Sequence, residues 1–480
     1  LRKAVSKKSE VPTVFSNDLL SSCLEKALSR GGDYADFFIE ETSSLTLSLD
    51  DGKMRTAISS LATGLGLRVI SGRNYIYLYA SDPTEERLKE LAATMAEAVS
   101  SGATAKGSLA LEALPPFAAR DRRNAPRVIP SSVERGPKLD LLHRADAATR
   151  AASPEVVQAS AYYNESLQKV WIATSEGRFV HDERTRTFFA TSAVVARGGS
   201  RERGSQHMGK SQGFEMFEAH GPEELGREAA RIAFVKLGAE NAPTGKMPVV
   251  IDKGFGGVIF HEACGHALEA ASIADDASVF CGKLGERIAM DAVSAVDDAT
   301  LPGESGTAAF DDDGLPTRRN LLIENGILRS YLVDRLGQAK MGMPANGASR
   351  KESYRFAPTS RMSNTLILPG PYKREDLIAS VDRGLYCASM GGGSVHPATA
   401  EFNFGVEEAY LIEGGRITRP VKGAALIGRG DEILMNIDMV ADDLGDLGYG
   451  SGTCGASSGG VPNVVGQPAI RVGGLVVGGR

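Results

Sequence analysis

The chain has 480 residues, more than one ordinary hydrophobic core organises, so two or three domains are expected. Charged residues make up 24% and hydrophobic ones 42%, the balance of a soluble globular protein, and a net charge of −6 offers nucleic acid no basic surface. No apolar run reaches the ~20 residues that span a bilayer, the basic start LRKAVSKK lacks the apolar stretch of a signal peptide, and five scattered cysteines without a CxxC pair point to a reducing cytoplasm.

In chain order, SNDLLSSCLEKALSR spaces Leu20, Cys23, Leu24 and Ala27 as a helix behind an Asn17 or Asp18 cap. ADFFIEETSSLTLSLDDGKM reads as one long strand or two, ending at the Asp51-Gly52 turn, and GLGLRVISGRNYIYLYA as a hairpin about Ser71-Gly72. DPTEERLKELAATMAEAVSS is a helix with Asp82 as cap and Pro83 in its first turn. Residues 102–136, rich in proline and small or basic residues, read as an exposed connection. A helix at about 137–152, two or three antiparallel strands to Gly199, and a helix in GPEELGREAARIAFVKLGA follow. The polar ENAPTGK segment at 240–246 is the expected boundary between an N-terminal α/β domain, 1–240, and a β-rich C-terminal domain, 241–480. The fold class expected is α+β, with a metal-binding helix in the second domain.

That helix carries FHEACGHALEA. The zinc-peptidase signature H-E-x-x-H sets its histidines four apart, on one face of a helix; His261 and His266 are five apart, about 140° around a regular one. A π turn, bonded i→i+5, returns them to one face, and Gly265 is the residue best able to tolerate it. The same solution is used by the H-E-x-x-G-H motif of dipeptidyl peptidase III, which the segment resembles over six residues. Glu262 would then be the general base. The plain alternative is a helix that happens to hold two core or surface histidines.

Spacing leaves the third ligand open. Cys264 reads as helix packing, and Glu269 as a ligand or as an acceptor fixing a histidine tautomer. Cys281 and Cys387 read as small buried hydrophobes. Cys454 lies in GSGTCGASSGG, a glycine-rich loop without apolar neighbours, where a thiolate suits zinc. The GFGG stretch at 254–257 imitates a dinucleotide-binding turn, but it runs straight into His261, so its glycines are expected to let backbone approach a metal or substrate. GGGS at 391–394 reads as a bend or an extended edge for a peptide backbone, and His396 as an exposed residue at a strand end.

The second half closely resembles the TldD/PmbA family, and within it the TldD branch. The segments that carry the resemblance are VVIDKGFGGVIFHEACGHALEA, GKLGERIA, DDGLPTRRNLLIENGILRSYL, ESYRFAPTSRMSNT, RGLYCASMGGGSV, EAYLIEGGRITRPVKGAALIG and GTCGASSGGVPNVVGQPAIRVGGLVVGG. The resemblance implies a zinc-dependent metalloprotease acting on unfolded or short peptides in an enclosed cleft. It assigns His261, His266 and Cys454 to Zn²⁺ and makes Glu262 catalytic. It also implies pairing with a PmbA-type paralogue as a heterodimer, or with a second copy as a homodimer. Relatives often carry an acid near the position of Ala271, which Asp275 or Asp276 would have to replace. The competing reading is a non-catalytic assembly or regulatory subunit of such a complex.

Overall fold

The computed structural model describes residues 15–99, 112–113, 125–396 and 399–479. Its first helix, Asn17–Ala27, is capped by Ser16, whose hydroxyl accepts from the Leu19 amide. Neither Asn17 nor Asp18 is the cap, because both already lie inside the helix. The helix Glu85–Ala98 is capped by Thr84, which places Asp82 and Pro83 outside it. Leu20 and Leu24 of one helix and Leu88 and Met95 of the other share a core with Phe37, Leu65 and Leu67 of the sheet beneath.

That sheet is built from long antiparallel strands. Tyr34–Asp50 is a single strand; it turns at Asp51-Gly52, both at positive φ, into Lys53–Ser71, which pairs with Asn74–Ala80. On its other edge lie Val156–Thr174, Arg178–Arg197 and Ser200–Lys210. The last, SRERGSQHMGK, is too polar to announce itself as a strand; the Gly198-Gly199 turn and its pairing partner hold it extended. Helices Arg135–Ala151 and Pro222–Leu237 cover this part of the sheet, with Leu142 and Leu225 against Tyr163 and Phe189. The expected connection at 102–136 falls mostly outside the described residues.

The fold class is α+β, and the second half contains a β-barrel that sequence patterning did not suggest. Strand Gly245–Ile251 pairs with Arg383–His396 and Ile470–Gly478; Ala425–Arg429 and Glu401–Glu413 continue the order, and Glu401–Glu413 returns to Arg383–His396, closing the ring. A second sheet includes Ala295–Asp298, Asn364–Ile367 and the hairpin Ser451–Ala456/Gly459–Gly466. The FHEACGH segment lies between the two, and Phe260 and Leu268 share a core with Val249, Leu322, Phe404 and Val472. The N-terminal sheet meets this half through buried ion pairs: Arg68 between Asp36 and Asp313, and Arg184 between Asp182 and Asp312. Charges this deep are tolerated because each is paired and hydrogen-bonded.

Candidate metal centre

The segment bearing the motif is not one regular helix. It is a run of short turns: 3₁₀ at Gly254–Gly257, α at Val258–Phe260, π at His261–Gly265 and 3₁₀ at His266–Leu268. The His266 amide reaches the His261 carbonyl, the i→i+5 closure of a π turn. The widened turn brings the two imidazoles to a centroid separation of 5.0 Å, at 79° to each other. Gly265 is there for space and not for conformational freedom. Its φ of −61° suits any residue, but a Cβ would stand 2.2 Å from Met362 Sδ. Gly257 is likewise a packing glycine: a Cβ would meet the Gly466 backbone nitrogen at 2.6 Å, so at this position the stretch lies against the hairpin strand.

Cys454 sits on a strand and not in a loop. Ser451–Ala456 consists of small residues throughout, while the pairing strand supplies Val461, Val464 and Val465. Cys454 is therefore buried, contrary to the reading of a loop without apolar neighbours. It faces Val461 in register, and Asn463 lies two residues on, so Cys454 and Asn463 project from one face of the hairpin. Both side chains reach the histidines.

One ligand atom from each of His261, Glu262, His266 and Cys454 lies within 4.8 Å of all the others. His266 Nε2 is 3.0 Å from Cys454 Sγ and 3.7 Å from a Glu262 oxygen. His266 Nδ1 is 3.0 Å from Glu269 Oε2, which makes Glu269 the orienting acceptor and not a member of the cluster. His261 Nδ1 is 3.4 Å from Thr365 Oγ1, whose hydroxyl donates to Asp297; His261 Nε2 is 3.2 Å from Asn463 Nδ2. Burial holds His261 well below the usual imidazole range, so it is neutral, the form that binds metal. Burial also opposes charge on His266, but the Glu269 carboxylate and the Cys454 sulfur outweigh it and raise this imidazole well above the usual value. Burial raises the Glu262 carboxyl. Glu262 is also the most open of the four, with 29% of its side chain exposed against 1% of His261, so the cluster faces solvent on the carboxylate side.

The other sequence candidates lie elsewhere. Cys264 points at the Gly430 carbonyl, 3.5 Å away, and burial pushes its thiol far up, as expected for packing. Cys387 is buried; Cys281 is only partly so. Asp275 pairs with Lys340 and Asp276 turns the chain at a φ of 52°, so neither replaces the missing acid. His396 ends its strand beside Thr399.

Residues 35–101, 129–237 and 244–479 match the models for domain 1, the central domain and the C-terminal domain of the PmbA/TldA metallopeptidases. The chain is 36% identical to a metalloprotease TldD homolog of Haemophilus influenzae, over 98% of this chain and 97% of that protein. The chain belongs to the PmbA/TldD family. A metalloprotease of Methanothermobacter thermautotrophicus is 32% identical over 93% of this chain and 96% of its own length. Among solved structures, TldE from Thermococcus kodakarensis shares the fold, with a TM-score of 0.74 at 18% identity over 96% of this chain and 99% of that one.

Four residues of this centre carried no sequence signal of their own. Asp297 and Thr365 back His261, Asn463 contacts it, and Arg361 is buried beneath the cluster. Arg361 donates to the Cys454 carbonyl at 2.8 Å and lies 3.8 Å from Glu269, tying the strand of one candidate ligand to the carboxylate that orients another.

Proposed function

We propose that this chain is a zinc-dependent peptidase subunit hydrolysing unfolded or short peptides, with His261, His266 and Cys454 as ligands and Glu262 as general base. The observation that carries this reading is the convergence of two imidazoles, a thiol and a carboxylate on one point from sequence positions nearly 200 apart. Two nitrogens and a sulfur are a zinc donor set, and the hard ions magnesium and calcium take oxygen ligands instead. Tetrahedral ligands at zinc distances stand about 3.3–3.7 Å apart, a spacing that small side-chain shifts reach from the present cluster.

Zinc there supplies Lewis acidity, which polarises a scissile carbonyl and acidifies water. Glu262 takes the proton of the attacking water and delivers it to the leaving amine, a role its place on the open side of the cluster allows. Glu269 fixes the His266 tautomer so that Nε2 faces Cys454, and Thr365 and Asp297 hold His261. Beyond Cys387 the strand Arg383–His396 loses its partner Gly245–Ile251, leaving an extended edge at Gly391–Ser394 against which a substrate backbone pairs. We place the boundary between two domains, 1–240 and 241–480, near residue 240, in the gap between the central and C-terminal family models. The fold shared with TldE supports a PmbA-type paralogue as partner, with a homodimer as the other arrangement. Scattered free cysteines support a cytoplasmic setting.

The test is metal analysis coupled to turnover of an unstructured peptide by the purified chain, alone and with a PmbA-type partner. About one zinc per chain and metal-dependent hydrolysis are expected. Zinc without hydrolysis under either condition would favour the assembly-subunit reading.

A further inference from the structure

Behind the hairpin that carries Cys454 lies a cavity of about 440 Å³ between the N-terminal sheet and the second half of the chain. Gly460 and Pro462 line it, and these alternate along the strand with Val461 and Asn463. The cavity therefore opens on the opposite face from the metal cluster.

Its charges are unequally satisfied. The acids in its wall are all engaged: Asp312 takes Arg184 and the Lys351 amide, Asp311 takes the amides of Asp313, Leu315 and Ser349, Glu40 takes Thr42, Gln168 and the Tyr354 amide, and Glu352 takes the Gly460 amide. Arg186 and Arg350 in the same wall have no carboxylate partner among the described residues, and the exposed Arg355 donates to the Tyr354 hydroxyl instead. Arg350 donates only to the carbonyls of Met362 and Pro462. Arg186 donates to the carbonyls of Thr185 and Thr307 and to Ser211 Oγ, and its Nε has no protein partner. The wall also holds Ser349, fully buried, whose hydroxyl has no protein partner either. Burial, reinforced by the mutual repulsion of these guanidinia, pulls Arg186 down to about 9; burial pulls Arg350 down to about 10. A partly buried guanidinium without an anion is costly, and a planar fork of donors is the group that reads carboxylate or phosphate.

We infer that this cavity is a binding site for a small free oxyanion, a phosphate or carboxylate group held by Arg186 and Arg350. The two arginines come from opposite halves of the chain, so the anion bridges them. It neutralises the pair, ties the N-terminal sheet to the Ser349–Lys351 segment, and stabilises the folded chain by mass action. The site does not rest on the peptidase reading, because nothing in it touches the metal cluster.

The experiment is calorimetric titration of the full-length chain with inorganic phosphate and, separately, with N-acetylglycine, chloride being adjusted to constant ionic strength. Melting temperature is followed in parallel. Saturable one-site binding by at least one probe is expected, with a rise in melting temperature that chloride does not give. Arg186→Met and Arg350→Met should each weaken binding at least tenfold. Arg350→Lys, which keeps the charge but loses the planar fork, should weaken it several-fold and serves where a methionine variant fails to fold. A peptide with a free C-terminus is compared with its amide. If only the free acid binds, and neither phosphate nor N-acetylglycine displaces it, the free-anion assignment is wrong. Binding lost on chelation of zinc or in His261→Ala would place the anion on the metal, and would overturn the site. Absence of saturable binding by both probes, or unchanged affinity in Arg350→Met, would overturn it as well.

Discussion

The imidazole of His266 and the sulfur of Cys454 meet at 3.0 Å across 188 positions of sequence, with Glu269 on the far side of the ring. The contact joins the residue that closes the π turn to the strand Ser451–Ala456. If the two are co-ligands, zinc content depends on both equally. His261→Ala, His266→Ala and Cys454→Ala should each lower zinc affinity by several orders of magnitude, while Cys264→Ala and Cys387→Ala keep it. Elemental analysis after dialysis measures this; full occupancy in Cys454→Ala would remove it from the ligand set.

Glu269 is expected to act on the metal through His266. Glu269→Gln keeps the length but replaces a charged acceptor by a neutral one. Zinc affinity should fall about 10–100-fold, the usual cost of losing an orienting partner. A competition titration with a chromophoric chelator reads it, and equal affinity would mean that Glu269 does not set the ring.

Gly265 makes room for Met362, with 2.2 Å between its absent Cβ and the sulfur. Gly265→Ala should destabilise the fold by about 1–3 kcal/mol through overpacking and weaken zinc binding by displacing the turn. Met362→Ala added to Gly265→Ala should recover part of both losses. No recovery in denaturant melts would show that the turn itself, and not the crowding, requires glycine.

Lys351 is buried with its ammonium 3.7 Å from the centre of the Phe38 ring, and burial pulls it down to about 8 against the opposing pull of Asp36 and Asp312. The unfolded chain keeps this proton up to the ordinary lysine value of 10.5. Between about 8 and 10.5 the unfolded state binds more protons than the folded one, so stability rises with pH. Below about 8 both states are protonated and the contribution is flat, a penalty of about 3 kcal/mol at neutral pH. Lys351→Met should reduce this slope, leaving the part that Arg186 and Arg350 contribute. Urea unfolding of both proteins at pH 7.5 and 9.5 tests it, and an identical rise in the two would exclude Lys351 as its source.

The parts legible in sequence were those governed by short spacing. The histidine pair, the adjacent glutamate and the need for a π turn all follow from six residues, and the structure has that turn. What escaped was set by distant neighbours. Cys454 looked like a loop residue because glycines surround it, yet its pairing with Val461 makes it a strand. Gly265 was legible as important but not as a space for Met362, 97 residues later. The barrel depends on Glu401–Glu413 returning to Arg383–His396, a closure no local pattern encodes. Asp297, Thr365 and Arg361 matter only because folding carries them to the motif.

The most direct measurement is turnover of a short unstructured peptide by wild type and Glu262→Gln at equal zinc loading, with a PmbA-type partner present. Glu262 stands beside a ligand on the open side of the cluster, so the variant should keep its zinc and its partner. Its rate should fall by about 10²–10⁴-fold, the contribution of a positioned acid/base group. Equal rates in the two proteins would contradict the assignment of Glu262 as the base.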